Sequence, residues 1–168
     1  MSNWLDVRIK LYSDKEQIEA LGKKVKDYVY KSTKGDVNAS VNFGVNDYKF
    51  IWCGVKPLDN FVSVMCYTKV GFDEESAAAV CKWISSKYPS ITSIDIQTRD
   101  DDSRIFAVYR WTATTPSMVR CRRIDPDLYP SINEDSKNSY SETTVKTLAE
   151  ALKNSGIVGM VGVHKKHS

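Results

Sequence analysis

The chain has 168 residues, 42% of them hydrophobic and 27% charged, with a net charge of +3. That length buries roughly 70% of the unfolded surface in one domain, and this apolar content with four tryptophans excludes a wholly disordered chain. A charge of +3 is too small to argue for nucleic acid by itself, and no segment reaches the roughly 18 apolar residues of a membrane span.

The opening, MSNWLDVRIK, has no apolar core followed by small residues, so no secretory leader is expected and the cytoplasm is the expected compartment. Leu5, Val7, Ile9 and Leu11 alternate with Asp6, Arg8 and Lys10, which is the period of a half-buried strand. Ser13, with Glu16 three residues on, reads as a reciprocal capping box that opens a helix. Ile18, Leu21, Val25 and then Tyr28 or Val29 give that helix an apolar stripe, which should fade in KSTKGD. Two strands are expected next, VNASVNF and YKFIWCGV, with a turn at Asn46-Asp47. Pro57 and Asp59-Asn60 break the chain before FVSVMCYTKV, a strand rich in β-branched and aromatic residues.

Asp73 is placed to cap a second helix, with Ala77, Val80, Cys81 and Ile84 as its packing stripe, and Pro89 should stop it near Tyr88. ITSIDIQT reads as the next strand, followed by the acidic turn RDDDS; residues 104–111 and 117–124 then pair as a hairpin around TATTPS. Residues 125–140 read as a loop or linker. Residues 141–168 read as a helix from about Glu142 to Lys153, Gly156 just past its end, and IVGMVGV as a last strand or docking tail. This order predicts an α+β domain over residues 1–124, a ferredoxin-like split β-α-β antiparallel sheet with helices on one face. The C-terminal helix and strand are expected to extend the same domain.

Asn3-Trp4, FIWCGVK around Trp52, and WISSKYPSITSIDI from Trp83 to Ile96 resemble small uncharacterised proteins of phages, prophages and plasmids with a ferredoxin-like domain. Those proteins open on Asn-Trp and pass through a Trp-containing strand to a second helix with a KYP-like stop. The similarity covers roughly residues 1–110. Leu5 stands where that family's opening carries a cysteine, and RCRR and the C-terminal helix have no counterpart. The resemblance implies the fold and an origin in a mobile element, and carries over no catalytic residue.

Five of the seven arginines lie between Arg104 and Arg123, with no lysine or acid among them. If Arg110 stands opposite Met118, side-chain alternation puts Arg104, Phe106, Val108 and Arg110 on one face with Met118, Arg120, Arg122 and Ile124. Ile105, Ala107, Tyr109, Trp111, Val119 and Cys121 then form a core layer on the other. Guanidinium matches phosphate and carboxylate and stacks on bases, so Arg104, Phe106, Arg110, Arg120 and Arg122 are the candidate binding residues. Two partners fit: an acidic protein surface, as for a mobile-element protein that antagonises a host system, or a nucleic acid or nucleotide. The competing reading pairs these arginines with Asp100, Asp101, Asp102, Asp125 and Asp127, or has them protect a sheet edge. Exposed Phe106 and Val108 would suit a homodimer contact.

No catalytic or cofactor signature stands beside this run. RDDDSR points consecutive carboxylates in different directions and lacks further oxygen ligands for a divalent ion. SGIVGMVGV follows a helix instead of opening one, against a dinucleotide loop. Cys53, Cys66, Cys81 and Cys121 are too widely spaced for a disulfide frame or a zinc site and read as buried thiols, while His164 and His167 read as solvated. FVSVMCYT and RIFAVYRW lack the aromatic signature of an RNA-recognition sheet. Trp4, Trp52, Trp83 and Trp111 read as core or sheet-packing residues, with Trp4 or Trp111 able to line a groove. The expectation is a non-enzymatic binding protein with no cofactor, metal or membrane contact; a small enzyme whose residues no motif announces is the third reading.

Overall fold

The computed structural model describes residues 4–46, 48–69, 71–99 and 106–124. Among them, six strands form one open antiparallel sheet with two α-helices, an α+β fold. The strands are β1 (Trp4–Ser13), β2 (Ile51–Pro57), β3 (Phe61–Lys69), β4 (Ile91–Arg99), β5 (Phe106–Thr112) and β6 (Val119–Ile124). The helices are α1 (Ile18–Thr33) and α2 (Glu74–Lys87), and the sheet runs β2-β3-β1-β4-β5-β6. The expected linker 125–140, the helix Glu142–Lys153 and the final strand lie outside the described residues. So do Arg104 and the acids at 100–102.

Alternation in β1 sends Leu5, Val7, Ile9 and Leu11 into one core. The stripes of α1 (Ile18, Leu21, Val25, Val29) and α2 (Ala77, Val80, Cys81, Ile84) enter the same core, so both helices cover one side of the sheet. There they meet Val62, Val64 and Cys66 of β3, Ile94 and Ile96 of β4, Ala107, Tyr109 and Trp111 of β5, and Val119 and Cys121 of β6. Each such aliphatic side chain contributes roughly 1.5–3 kcal/mol by leaving water. No helix among the described residues is long and apolar enough to cross a membrane.

Local capping was legible for α2 but not for α1. Asp73 Oδ1 accepts from the Ser76 backbone N–H at 2.9 Å and from its hydroxyl at 2.9 Å, and α2 ends at Lys87 ahead of Pro89. Ser13 instead stays in β1 and donates to the Ser90 carbonyl at 2.8 Å. A short 3-10 turn over Lys15–Gln17 then leads into α1, whose N-cap makes no side-chain hydrogen bond. Pairing of β1 with β4 outweighs a local cap worth about 1 kcal/mol.

VNASVNF forms no strand: Val41 pairs in an isolated bridge to Phe50, and the Val37 carbonyl accepts from the Trp52 N–H at 2.9 Å. Aromatic packing holds this connection in place of a ladder. Phe43 lies 5.2 Å from Phe50 and 6.2 Å from Trp83, ring centre to ring centre. Gly44 has φ of +91° next to Trp83, where an added Cβ would lie 2.4 Å from the Trp83 Cβ. Gly44→Ala should therefore lower stability by roughly 2–5 kcal/mol in urea unfolding. Gly54→Ala, whose added Cβ meets nothing within 4 Å, should change it by less than about 1 kcal/mol.

Candidate binding face and its pocket

The even-numbered residues of β1 point away from the helices, and strand register extends that side in rows across the sheet. One row runs Lys56, Ser63, Lys10, Asp95, Arg110, Arg120. The next runs Gly54, Met65, Arg8, Gln97, Val108, Arg122. Arg8, Lys10, Phe61, Ser63, Asp95, Gln97 and Val108 are buried here, although no described helix packs on this side. They form a second, mostly polar layer.

Charges in such a layer need partners. The Asp95 carboxylate, fully buried, accepts from Arg110 Nε and Nη2 at 2.7 Å each, a two-pronged pair. Arg8 Nε donates to Ser63 Oγ at 3.1 Å. The Lys10 ammonium lies 4.9 Å from the centre of the Phe61 ring and the Arg8 guanidinium 6.0 Å from it. Burial and then the positive Arg8 bring the Lys10 amine down to about 8; Asp95 opposes the shift and Arg110 adds to it. Burial pushes the Tyr12 phenol upward, reinforced by Asp95.

The arginine hairpin forms with a different register from the expected one. Arg110 stands opposite Arg120, not Met118, and Val108 stands opposite Arg122. The displacement is two residues, and because side chains repeat every two, both faces survive. Ala107, Tyr109, Trp111, Val119 and Cys121 join the helix-covered core, and Arg110, Arg120 and Arg122 stand on the other side. Arg120 is exposed, whereas the Arg110 side chain is 34% exposed because it reaches in to Asp95. Val108 is buried at 8%, so the exposed apolar contact expected there is absent. Phe106 is placed by its backbone, opposite Ile124. The expected loop partners at 100–102, 125 and 127 lie outside the described residues, and the Arg110 partner on the neighbouring strand is Asp95.

At the other edge of this face the sequence reading missed a pocket. The register of β2 against β3 shifts between Ile51 and Gly54, and Trp52 within that bulge has φ of +57°. A bulky residue rarely adopts this left-handed conformation, and bulges re-aim side chains. Trp52, expected as a core or sheet-packing residue, is 54% exposed, and Trp4, Met65 and Tyr67 are also exposed on this side. Trp111, by contrast, is buried and donates Nε1–H to the Pro116 carbonyl at 3.0 Å. A cavity of about 210 Å³ opens among Asp6, Arg8, Trp52, Met65, Tyr67, Gln97 and Arg99. Arg99 Nη2 and Asp6 Oδ2 lie 3.6 Å apart at the rim, an exposed pair contributing about 0–1 kcal/mol. Inside, Gln97 is 3% exposed, and neither its carboxamide nitrogen nor its oxygen has a hydrogen-bond partner. Alternation of Met65, Tyr67 and Lys69 in β3 was a readable signal for this surface; the bulge at Trp52 had none.

Cys66, Cys81 and Cys121 are buried, as read from their apolar positions, and Cys53 is partly so. A hydrogen bond with Cys53 and then burial hold the Cys66 thiol well above its ordinary range; burial and then Asp95 raise that of Cys81. Compared with protein-family models, curated proteins and solved structures, the chain matches none. The resemblance noted over residues 1–110 therefore rests on its own motifs.

The buried layer makes two predictions. Asp95→Ala leaves Arg8, Lys10 and Arg110 facing one another and should lower stability by about 3–5 kcal/mol. Arg110→Ala should cost less, since Lys10 stands across the ladder from Asp95; denaturant unfolding of the two variants reads the difference. Lys10 titrates lower when folded, near 8 against 10.5, so within that window the unfolded chain binds more protons and stability rises with pH. Relative to Lys10→Met, the wild type should gain thermal stability from pH 8 to pH 10. The raised thiols and Tyr12 pull the other way above about pH 9, but they do so in both proteins and cancel in the comparison.

Proposed function

We propose that the protein is a non-enzymatic binding protein that holds single-stranded nucleic acid across the face of its sheet opposite the two described helices. One observation carries the reading: Arg120 and Arg122 stand at one flank of that face, and exposed Trp4, Trp52 and Tyr67 with Arg99 stand at the other. Guanidinium groups follow a phosphate backbone, and aromatic rings stack unpaired bases without strict sequence demands. A duplex hides the base faces that such rings need. An acidic protein surface would engage the arginines but leave the aromatic flank unused.

The frame is compatible with this use. In our reading, the β2-β3-β1-β4 order with its two crossing helices is a ferredoxin-like split β-α-β arrangement, which β5 and β6 extend by a hairpin. Such a sheet keeps helices to one side and offers the other to a ligand.

The test is a fluorescent single-stranded homopolymer, titrated at several salt concentrations beside a duplex of equal length. The single strand should bind more tightly, with log affinity falling linearly against log salt. Arg120→Ala/Arg122→Ala should make that slope shallower by about 1.4, or 0.7 for each phosphate no longer neutralised. Absence of salt-dependent binding, or an unchanged slope in the double variant, would overturn the proposal. A nuclease-resistant protein partner that the double variant fails to hold would replace nucleic acid with an acidic protein surface.

A further inference from the structure

We infer that the pocket beside Gln97 is a base-reading subsite, which takes one nucleobase by its hydrogen-bonding edge. The inference rests on the single-strand reading for its setting and deepens it by naming what the face recognises. Gln97 is 3% exposed and both ends of its carboxamide lack partners. Folded proteins keep few such groups, because a buried donor or acceptor that is left unmet is costly. Leucine would fill the same space without that cost, so the amide points to a partner from outside the fold.

A carboxamide presents a donor beside an acceptor, the complement of a base edge. The cavity, about 210 Å³, lies below the roughly 300 Å³ at which small-molecule clefts begin. That is room for one heterocycle and not for two. Trp52 and Met65 give its rim apolar faces on which a ring can lie, and Arg99, exposed beside Asp6 at that rim, brings positive charge for the attached phosphate. The left-handed backbone at Trp52 is strain of the kind that persists where surrounding structure holds it in place, and it presents the indole at the pocket.

The experiment titrates the full chain with each of the four ribonucleoside 5′-monophosphates, read by tryptophan fluorescence and calorimetry. The preferred base should bind at least tenfold more tightly than the weakest. Gln97→Glu, which keeps the shape and removes the donor, should reorder the ranking. Gln97→Leu should lose at least tenfold for the preferred base, with a melting temperature unchanged or raised. If Gln97→Leu does not fold, the isosteric Gln97→Glu carries the test. Equal affinities, no binding, or a ranking unchanged in these variants would overturn the subsite, as would Gln97 serving only an ordered water. A homopolymer salt slope that persists through such a result leaves the face standing without the subsite. A nucleotide ranking that depends on Gln97, with no salt-dependent homopolymer binding, leaves the subsite without the face.

Discussion

The side of the sheet on which no described helix packs is held together by one carboxylate. Among the described residues Asp95 is the one buried acid, and Arg110, Lys10 and Arg8 are ranged around it on adjacent strands. A layer of buried cations is unstable unless an anion neutralises it, because desolvation of each charge exceeds what water-screened attraction returns. The two-pronged Arg110 pair meets that need and ties β5 to β4 through side chains as well as backbone. Lys10 answers in a different way, by shedding proton affinity.

This arrangement explains why β1 is central. Its odd residues are apolar and enter the helix-covered core, while its even residues supply Asp6, Arg8 and Lys10 to the opposite layer. A strand with both sides committed in this way must be flanked on both edges, and β3 and β4 flank it in antiparallel register. The outer strands are less constrained. Away from β1, Trp52 on β2, Met65 and Tyr67 on β3, and Arg120 on β6 are exposed, and on β1 itself Trp4 is exposed at its start.

Two kinds of surface therefore border one polar layer. The β5–β6 flank is cationic, and the β2–β3 flank is aromatic with a cavity beneath it. Gln97 sits where the layer meets the cavity, and neither polar atom of its carboxamide has a hydrogen-bond partner. Arg110 illustrates the opposite case. From composition it belonged with the binding arginines, but its side chain is largely spent on Asp95.

Periodicity by itself determined which side of each strand meets the core, because alternation is a local property that survives even a two-residue error in register. That is why the arginines at 110, 120 and 122 were legible on a common face although Arg110 was paired with the wrong residue. The Asp73 cap and the stop at Pro89 were legible for the same reason, since cap and helix lie within a few residues. Only the tertiary structure decided the rest. The Ser13 hydroxyl went to Ser90, and Asp95 met Arg110. Trp52 was turned outward by a bulge that depends on β3, and Gln97 was left beneath it without a partner. Each of these depends on which distant strands lie side by side, and that follows from the packing of the whole sheet, not from any short window of residues.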